Sequence, residues 1–349
     1  MGFRKNIRRV TPYVPGEQPQ EKVIKLNTNE NPYPPSKKVQ ETLAGLNPAK
    51  LRLYPDPAAT KLVTALADYY GVSQEEVFAG VGSDDVLAMC FLTFFNGEKP
   101  VLFPDVTYSF YKVWVELFKI PFSCQPVDEN FKIVKTDYFT PNGGIIIPNP
   151  NAPTGIFESL TVIEEIVAGN PDSVVIIDEA YIDFGGESAL PLIKKYPNLL
   201  VVQTYSKSRS LAGLRVGYAL GNKELIKALN DVKYSYNSYT MNEYAIELGT
   251  AVLKDEAYFK ESTGQIMETR EWAKEALEEK GFTCLDSRAN FIFAKHERVP
   301  AKEIFEKLKE KGIYVRFWND ERIKDYLRIT VGMRVEMEKL LAEIEGILA

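Results

Sequence analysis

The sequence predicts an α/β protein, with a large domain of mostly parallel sheet flanked by helices and a smaller α+β domain at its C-terminus. Three observations predict this. The first is a shared layout, an apolar, largely β-branched run that empties into a polar loop. Gly144–Pro148 runs into Asn149–Gly155, Val174–Asp178 into Glu179–Tyr181, and Leu199–Gln203 into Thr204–Ser208. Helix-like stretches separate them, and strand–crossover–strand repetition gives parallel strands with aligned carboxyl ends. The second is length, since 349 residues exceed a usual single domain. The third is a change of pattern near Asn230. The expected division is an N-terminal arm over 1–28, a large domain over 29–235 whose first helix can pack with the small domain, and the small domain over 236–349.

Taken in order, residues 1–25 read as an irregular arm broken by Pro12, Pro15 and Pro19. Residues 36–45 read as a short helix. Thr60–Tyr70 reads as a cleaner one, with Leu62, Val63, Leu66, Ala67 and Tyr70 on one stripe and Gly71 as its stop. Gly80–Asp85 opens a helix over Asp84–Phe95. Small residues before a helix start let amide groups converge on an anion, although Ser83 or Asp84 simply capping the helix explains the pattern equally well. Val101–Pro104 followed by Tyr108 repeats the strand-then-loop layout. Helix-like stretches follow at Phe157–Ala168 and around Leu190–Lys195.

Leu214–Leu220 is a second apolar run only about ten residues beyond Gln203, too close for a parallel crossover, so it returns antiparallel. Lys207 then sits in a tight loop at the carboxyl end of a buried strand, where open α/β sheets bind ligands. Beyond a tyrosine-rich stretch at 231–241 come a long helical stretch, about Asn242–Lys280, and strands near Thr283–Lys295, Ile313–Trp318 and Tyr326–Val331. Helices are expected at Ala301–Lys311 and Val335–Leu348. If the last two strands pair antiparallel, Arg316 and Arg328 fall on one face, where like charges repel unless an anion lies between them.

Composition excludes several classes. The net charge of −6 argues against a nucleic-acid surface. The longest largely apolar run, Val86–Phe95, is too short to span a bilayer. The basic N-terminus has no apolar stretch behind it, so no secretory signal and no membrane partner are expected. Cys90, Cys124 and Cys284 are odd in number and widely spaced, which suits reduced thiols and a cytoplasmic location. His296, the only histidine, lies between Lys295 and Glu297 and is expected to be solvated. A histidine-based metal site is excluded by count, and no metal is expected.

Asn151, Asp178, Tyr181 and Lys207 should therefore gather along one sheet edge beside an anion-binding turn. Pyridoxal 5'-phosphate is a ligand that uses them all. A lysine forms a Schiff base with its aldehyde, a carboxylate keeps its ring nitrogen protonated, and a phenol and an amide meet its ring oxygen. Helix-terminal amides and an arginine hold its phosphate, and Arg215 would offset the acidic pair Asp84 and Asp85.

The motifs Ser206–Gly217 (SKSRSLAGLRVG), Asn149–Gly155 (NPNAPTG) and Asp178–Tyr181 (DEAY) resemble those of fold-type I aminotransferases. Leu26–Pro32, Arg52–Pro57, Gly80–Asp85 and Tyr326–Gly332 narrow the resemblance to the histidinol-phosphate aminotransferases, over nearly the whole chain. The resemblance implies that Lys207 carries the cofactor and then serves as base and acid, and that Asp178 pairs with the ring nitrogen. It places Asn151 and Tyr181 at the ring oxygen, Tyr108 on the ring face, and Gly82, Ser83, Asp84, Ser206 and Arg215 at the phosphate. Tyr54 would reach that phosphate from a partner subunit, implying a homodimer. Tyr13, Asn27, Arg316 and Arg328 would face the substrates, histidinol phosphate and glutamate or 2-oxoglutarate. The relatives more often read Asp-Glu at Asp84-Asp85, and Asn149-Pro150 could hold a cis bond. An aromatic amino-acid aminotransferase and a threonine-phosphate decarboxylase share most of these motifs. A cofactor-binding regulatory module fits less well, because only about 25 residues precede the first motif.

Overall fold

The computed structural model describes residues 2–349. After an irregular N-terminal stretch with one 3-10 turn at Phe3–Lys5 come β1 (Ile24–Lys25), α1 (Lys37–Ala44) and α2 (Thr60–Tyr70). The chain then lays down β2 (Val77–Gly80), α3 (Ser83–Phe94), β3 (Val101–Pro104), α4 (Phe110–Phe118), β4 (Phe122–Gln125), β5 (Gly144–Pro148) and α5 (Leu160–Ala168). β6 (Val175–Asp178), β7 (Leu199–Thr204), β8 (Gly217–Gly221), α6 (Lys223–Tyr236), α7 (Glu243–Val252) and α8 (Glu256–Glu278) follow. The last elements are β9 (Phe282–Cys284), β10 (Phe291–His296), α9 (Ala301–Glu310), β11 (Ile313–Tyr314), β12 (Arg316–Phe317), β13 (Leu327–Thr330) and α10 (Arg334–Leu348).

The large sheet has seven strands in the order β2-β8-β7-β6-β5-β3-β4. Only β8 runs against the others, pairing antiparallel with both β2 and β7. Strands β5, β6 and β7 are buried along their whole length. Their alternate side chains feed two cores, as the period of two requires. Ile177 joins Leu66, Ile166 and Leu248 on one face, while Ile176 joins Val86, Phe91 and Leu229 on the other. A second, antiparallel sheet, β12-β13-β10-β9, packs with α8, α9 and α10 through Ile266, Leu308 and Leu340. Helix α7 packs against α1 and α2, and its Ala245, Ile246 and Leu248 belong to the core of the large sheet.

Several elements differ from the sequence reading, each for a physical reason. The N-terminal arm holds a short strand, because β1 pairs in parallel with β11. The tyrosine-rich stretch begins inside a helix. Lys233 occupies a buried position in line with Ile226 and Leu229, and its charge masks the apolar stripe. The long helical stretch is two helices, separated at 253–255, with Asn242 capping α7 through the amide of Ala245. The segment Thr283–Lys295 is a hairpin, not one strand: β9 folds back on β10. Ile313–Trp318 divides between two partners, β11 with β1 and β12 with β13.

His296 is buried at 9% exposure, not solvated. Its Nδ1 accepts the amides of Arg298 and Val299, which leaves Nε2 to donate to the Lys280 carbonyl at 3.1 Å. Asn149-Pro150 and Ala152-Pro153 are both cis. Among the described residues no helix is long and apolar enough to cross a membrane.

The antiparallel return of β8 brings Gly217 against the turn that starts α3. A Cβ at Gly217 would lie 2.3 Å from both the carbonyl carbon of Gly82 and the amide nitrogen of Ser83. Backbone cannot yield as a side-chain end does. Gly217→Ala is expected to lower unfolding stability by about 1–3 kcal/mol, the usual cost of overpacking. Urea denaturation measures it, and an unchanged midpoint would contradict this contact.

Candidate active site

The parallel strands deliver their polar residues to one edge. Beyond β7, the loop holding Lys207 is fixed by Tyr205 N–H to Val216 O and Leu211 N–H to Tyr205 O, both at 3.0 Å. The Lys207 amine donates to the Thr28 carbonyl at 3.0 Å and lies 5.7 Å from the centre of the Tyr181 ring. Burial, then the nearby Arg328 guanidinium, lowers the ammonium from its usual range to about 8, while Asp84 and Glu30 pull the other way.

Asp178 ends β6. Its Oδ2 accepts the Tyr111 hydroxyl at 2.7 Å and its Oδ1 the Ala180 amide at 3.2 Å. Burial pushes this carboxyl up to about 6, and those two hydrogen bonds oppose the rise. The Tyr181 hydroxyl accepts the side-chain amide of Asn29 at 2.8 Å. Asn151, after β5, donates to the Val106 carbonyl at 2.9 Å and to Thr154 Oγ1, and its own Oδ1 is buried without a partner.

The turn Gly80–Gly82 starts α3, where no side chain caps the first turn. The Gly82 amide already donates to the Gly80 carbonyl at 3.0 Å. What Gly82 offers is space: an added Cβ would sit 2.6 Å from Arg215 Nη2, so the guanidinium rests on the turn itself. Asp84 is balanced by Arg215 at 3.2 Å and by the Tyr108 hydroxyl at 2.8 Å. Asp85 accepts the Val81 amide of the turn itself at 2.9 Å. Of the two acidic residues, Asp84 is the one that lines the pocket.

Arg316 and Arg328 stand directly opposite each other across β12 and β13. Both guanidinium groups lie over the Trp318 ring, at 5.2 and 5.0 Å. Arg316 donates to the carbonyls of Val14 and Pro15 at 3.0 and 3.3 Å. Arg328 donates to the Asn27 carbonyl at 3.0 Å, and its Nε is buried without a partner. Asn27 donates to the Glu17 carbonyl at 2.9 Å, and Tyr13 stacks on Phe110 at 4.2 Å.

One pocket brings together Tyr13, Asn27, Ser83, Asp84, Tyr108, Asp178, Tyr181, Ser206, Lys207, Arg215, Arg316 and Arg328. Gly82 and Asn151 are not in its wall, but they flank it: Ser83 lines it beside Gly82, and Pro150 and Ala152 line it on either side of Asn151. Tyr54 is elsewhere, 82% exposed and 4.7 Å from Tyr239, ring to ring. Four cations against two carboxylates make the pocket a site for an anionic ligand, on a chain of net charge −6.

Sequence reasoning missed Thr28, Asn29, Tyr111 and Thr204. Thr28 and Asn29 lie within the Leu26–Pro32 motif, and Asn29 adopts φ 55, a left-handed conformation that asparagine tolerates. Thr204 is the last residue of β7 and not the first of the loop, and its hydroxyl bonds Ser206. Tyr111 gave no signal: it reads as one more apolar position of α4.

Comparison with known proteins adds to this geometry. The aminotransferase class I and II family matches residues 21–344. A histidinol-phosphate aminotransferase of Lactococcus lactis subsp. lactis is 51% identical over 349 residues, covering 100% of this chain and 97% of that protein. One of Clostridium botulinum is 50% identical over 342 residues, covering 98% and 97%. Among solved structures, histidinol-phosphate aminotransferase from Sinorhizobium meliloti in complex with pyridoxal-5'-phosphate has a TM-score of 0.86. It is 22% identical and covers 94% of this chain and 91% of that one, which confirms the fold-type I architecture. By profile and by identity along its whole length, the chain belongs to the class I and II aminotransferases and, within them, to the histidinol-phosphate aminotransferase family.

Proposed function

We propose that this protein uses pyridoxal 5'-phosphate to move the amino group of L-histidinol phosphate to 2-oxoglutarate. The products are imidazole-acetol phosphate and L-glutamate, a step of histidine biosynthesis. The observation that carries the reading is the Lys207 amine, set in a cationic pocket within one sheet edge of the buried acid Asp178.

The residues present fit the cofactor. Asn151 Oδ1 is a buried acceptor with no partner, the first turn of α3 is uncapped, and Gly82 leaves room for Arg215 beside it. When bound, the cofactor supplies an aldehyde that condenses with amines and a protonated ring that withdraws electrons. Asp178 would pair with the ring nitrogen and keep it protonated. Asn151 and Tyr181 would meet the ring oxygen, and Tyr108 would lie against the ring. The amides of Ser83 and Asp84, with Ser206 and Arg215, bind the phosphate. Lys207 Nζ, lowered to about 8, both takes and gives a proton near neutral pH. Arg316 and Arg328 bind the substrate's anionic end, as a planar donor pair accepts phosphate or carboxylate alike. Tyr13 and Asn27 close that end of the pocket.

The working unit in this reading is a homodimer with shared sites. Tyr54 does not line its own chain's pocket, and it stands with Leu51 and Leu53, which are 61% and 56% exposed. The three unpaired cysteines suit the reducing cytoplasm.

Three outcomes are expected. In a panel of amino donors, histidinol phosphate should give the highest kcat/KM. Faster turnover of phenylalanine, or release of carbon dioxide from threonine phosphate, would overturn the substrate assignment.

The second concerns pH. Unfolded, Lys207 titrates near 10.5, and folded, near 8. Below pH 8 both states hold the proton and the fold bears the full cost of burying it. Between 8 and 10.5 the folded state releases it first, so the cost fades as pH rises. Cofactor-free Lys207→Met should therefore melt higher than the cofactor-free parent at pH 7, with the gap closing by pH 10. A gap that stays constant would contradict the lowered lysine.

The third tests subunit sharing. Lys207→Ala and Tyr54→Phe chains, refolded together, should regain sites with parental cofactor affinity that neither variant has alone. No recovery in the mixed dimer would place Tyr54 outside the site.

A further inference from the structure

We propose that Tyr111 is a positioning residue for Asp178. Its hydroxyl, 2.7 Å from Oδ2, fixes the carboxylate so that the remaining lone pairs face the pocket. The inference rests on the reading of Asp178 as the partner of the cofactor's ring nitrogen.

Tyr111 is fully buried on α4, at 0% exposure. Its ring is held among Phe91, Phe103, Tyr108 and Trp114, with ring centres between 5.7 and 6.3 Å away. Those neighbours are apolar at the contact except for the hydroxyl of Tyr108, and that hydroxyl donates to Asp84. A buried hydroxyl needs a partner, and the Asp178 carboxylate is the one within reach. An ionised carboxylate only accepts, so the phenol is the donor. The direction of this hydrogen bond is therefore fixed, and so is the side of the carboxylate it occupies.

Asp178 Oδ2 has no other hydrogen-bond partner among the described residues, and Oδ1 has only the longer bond from Ala180. Without the phenol, the carboxylate would keep one weak restraint and lose the donor that favours its charged form. Burial drives it toward protonation, and the Tyr111 bond is the larger of the two that resist this. A protonated Asp178 presents a neutral acid to the ring nitrogen in place of a charge. Groups facing Asp178 from the packed elements are Asp84 and Cys90 of α3, Tyr111 of α4, and Tyr181 beyond β6. Burial pushes Cys90 and both tyrosines upward, away from neutrality. Of these groups shifted by burial, Asp178 is the one brought toward neutral pH.

Tyr111→Phe keeps the ring and deletes the donor. The test is the affinity of the cofactor-free protein for pyridoxal 5'-phosphate, measured by tyrosine and tryptophan fluorescence from pH 6 to 8.5. The expected result is affinity reduced about tenfold at pH 7, the scale of one hydrogen bond to a charged group. Much of that loss should be recovered at pH 8.5, because the variant's Asp178 ionises later than the parent's. A role in packing alone would weaken binding equally at every pH, and that result overturns the proposal, as does unchanged affinity. If the variant folds poorly, the pair Asp178→Asn and Tyr111→Phe/Asp178→Asn decides. With the carboxylate gone, removing the hydroxyl should cost no further affinity, and a full additional loss overturns the proposal. A parent protein that does not bind the cofactor at all would instead sink the functional reading.

Discussion

A sheet covered on both faces can place polar chemistry only at the ends of its strands. That constraint governs this structure. β5, β6 and β7 are buried along their whole length, and each meets water or ligand only where it stops. Asp178 is the last residue of β6, and the loops beyond β5 and β7 carry Asn151 and Lys207. The antiparallel strand β8 completes the edge. Because it starts where its neighbours end, it sets Arg215 beside the α3 turn and not at the far side of the sheet.

The charges in the cleft are tolerable because the chain neutralises them locally with backbone. The two arginines opposite each other on β12 and β13 donate to carbonyls of Val14, Pro15 and Asn27, and Lys207 to that of Thr28. A carbonyl dipole offsets a cation only in part, so the cleft keeps a net attraction for anions. The same N-terminal stretch thus closes one side of the pocket. Glu17 anchors that stretch through an ion pair with Lys309 at 2.8 Å.

Much of this was legible in the sequence. Lys207 stood out because a polar loop interrupts two apolar runs too close for a crossover. Asp178 and Asn151 stood out because the same layout repeats. The facing of Arg316 and Arg328 followed from strict alternation on two short runs. What was illegible depended on partners distant in the chain. His296 looks solvated between two charges, yet backbone amides from its own turn and a carbonyl sixteen residues away hold it inside. Lys233 reads as a surface charge but is buried, donating to the Pro57 carbonyl at 2.7 Å. Tyr111 is indistinguishable from a core aromatic until β6 is placed beside it. Short strands such as β1 have no pattern of their own and exist only through pairing with β11.

Asn29 links the two sheets in a particular sense. The Thr330 hydroxyl donates to its Oδ1 at 3.1 Å, and its Nδ2 donates to the Tyr181 hydroxyl at 2.8 Å. Every proton in that row points the same way, from the C-terminal sheet toward the cleft. Tyr181, having accepted, keeps its own proton free to point onward. Hydrogen bonds aligned head to tail polarise one another. The Asn29 amide at the end of that row favours the ionised form of the Tyr181 phenol, against the burial that disfavours it.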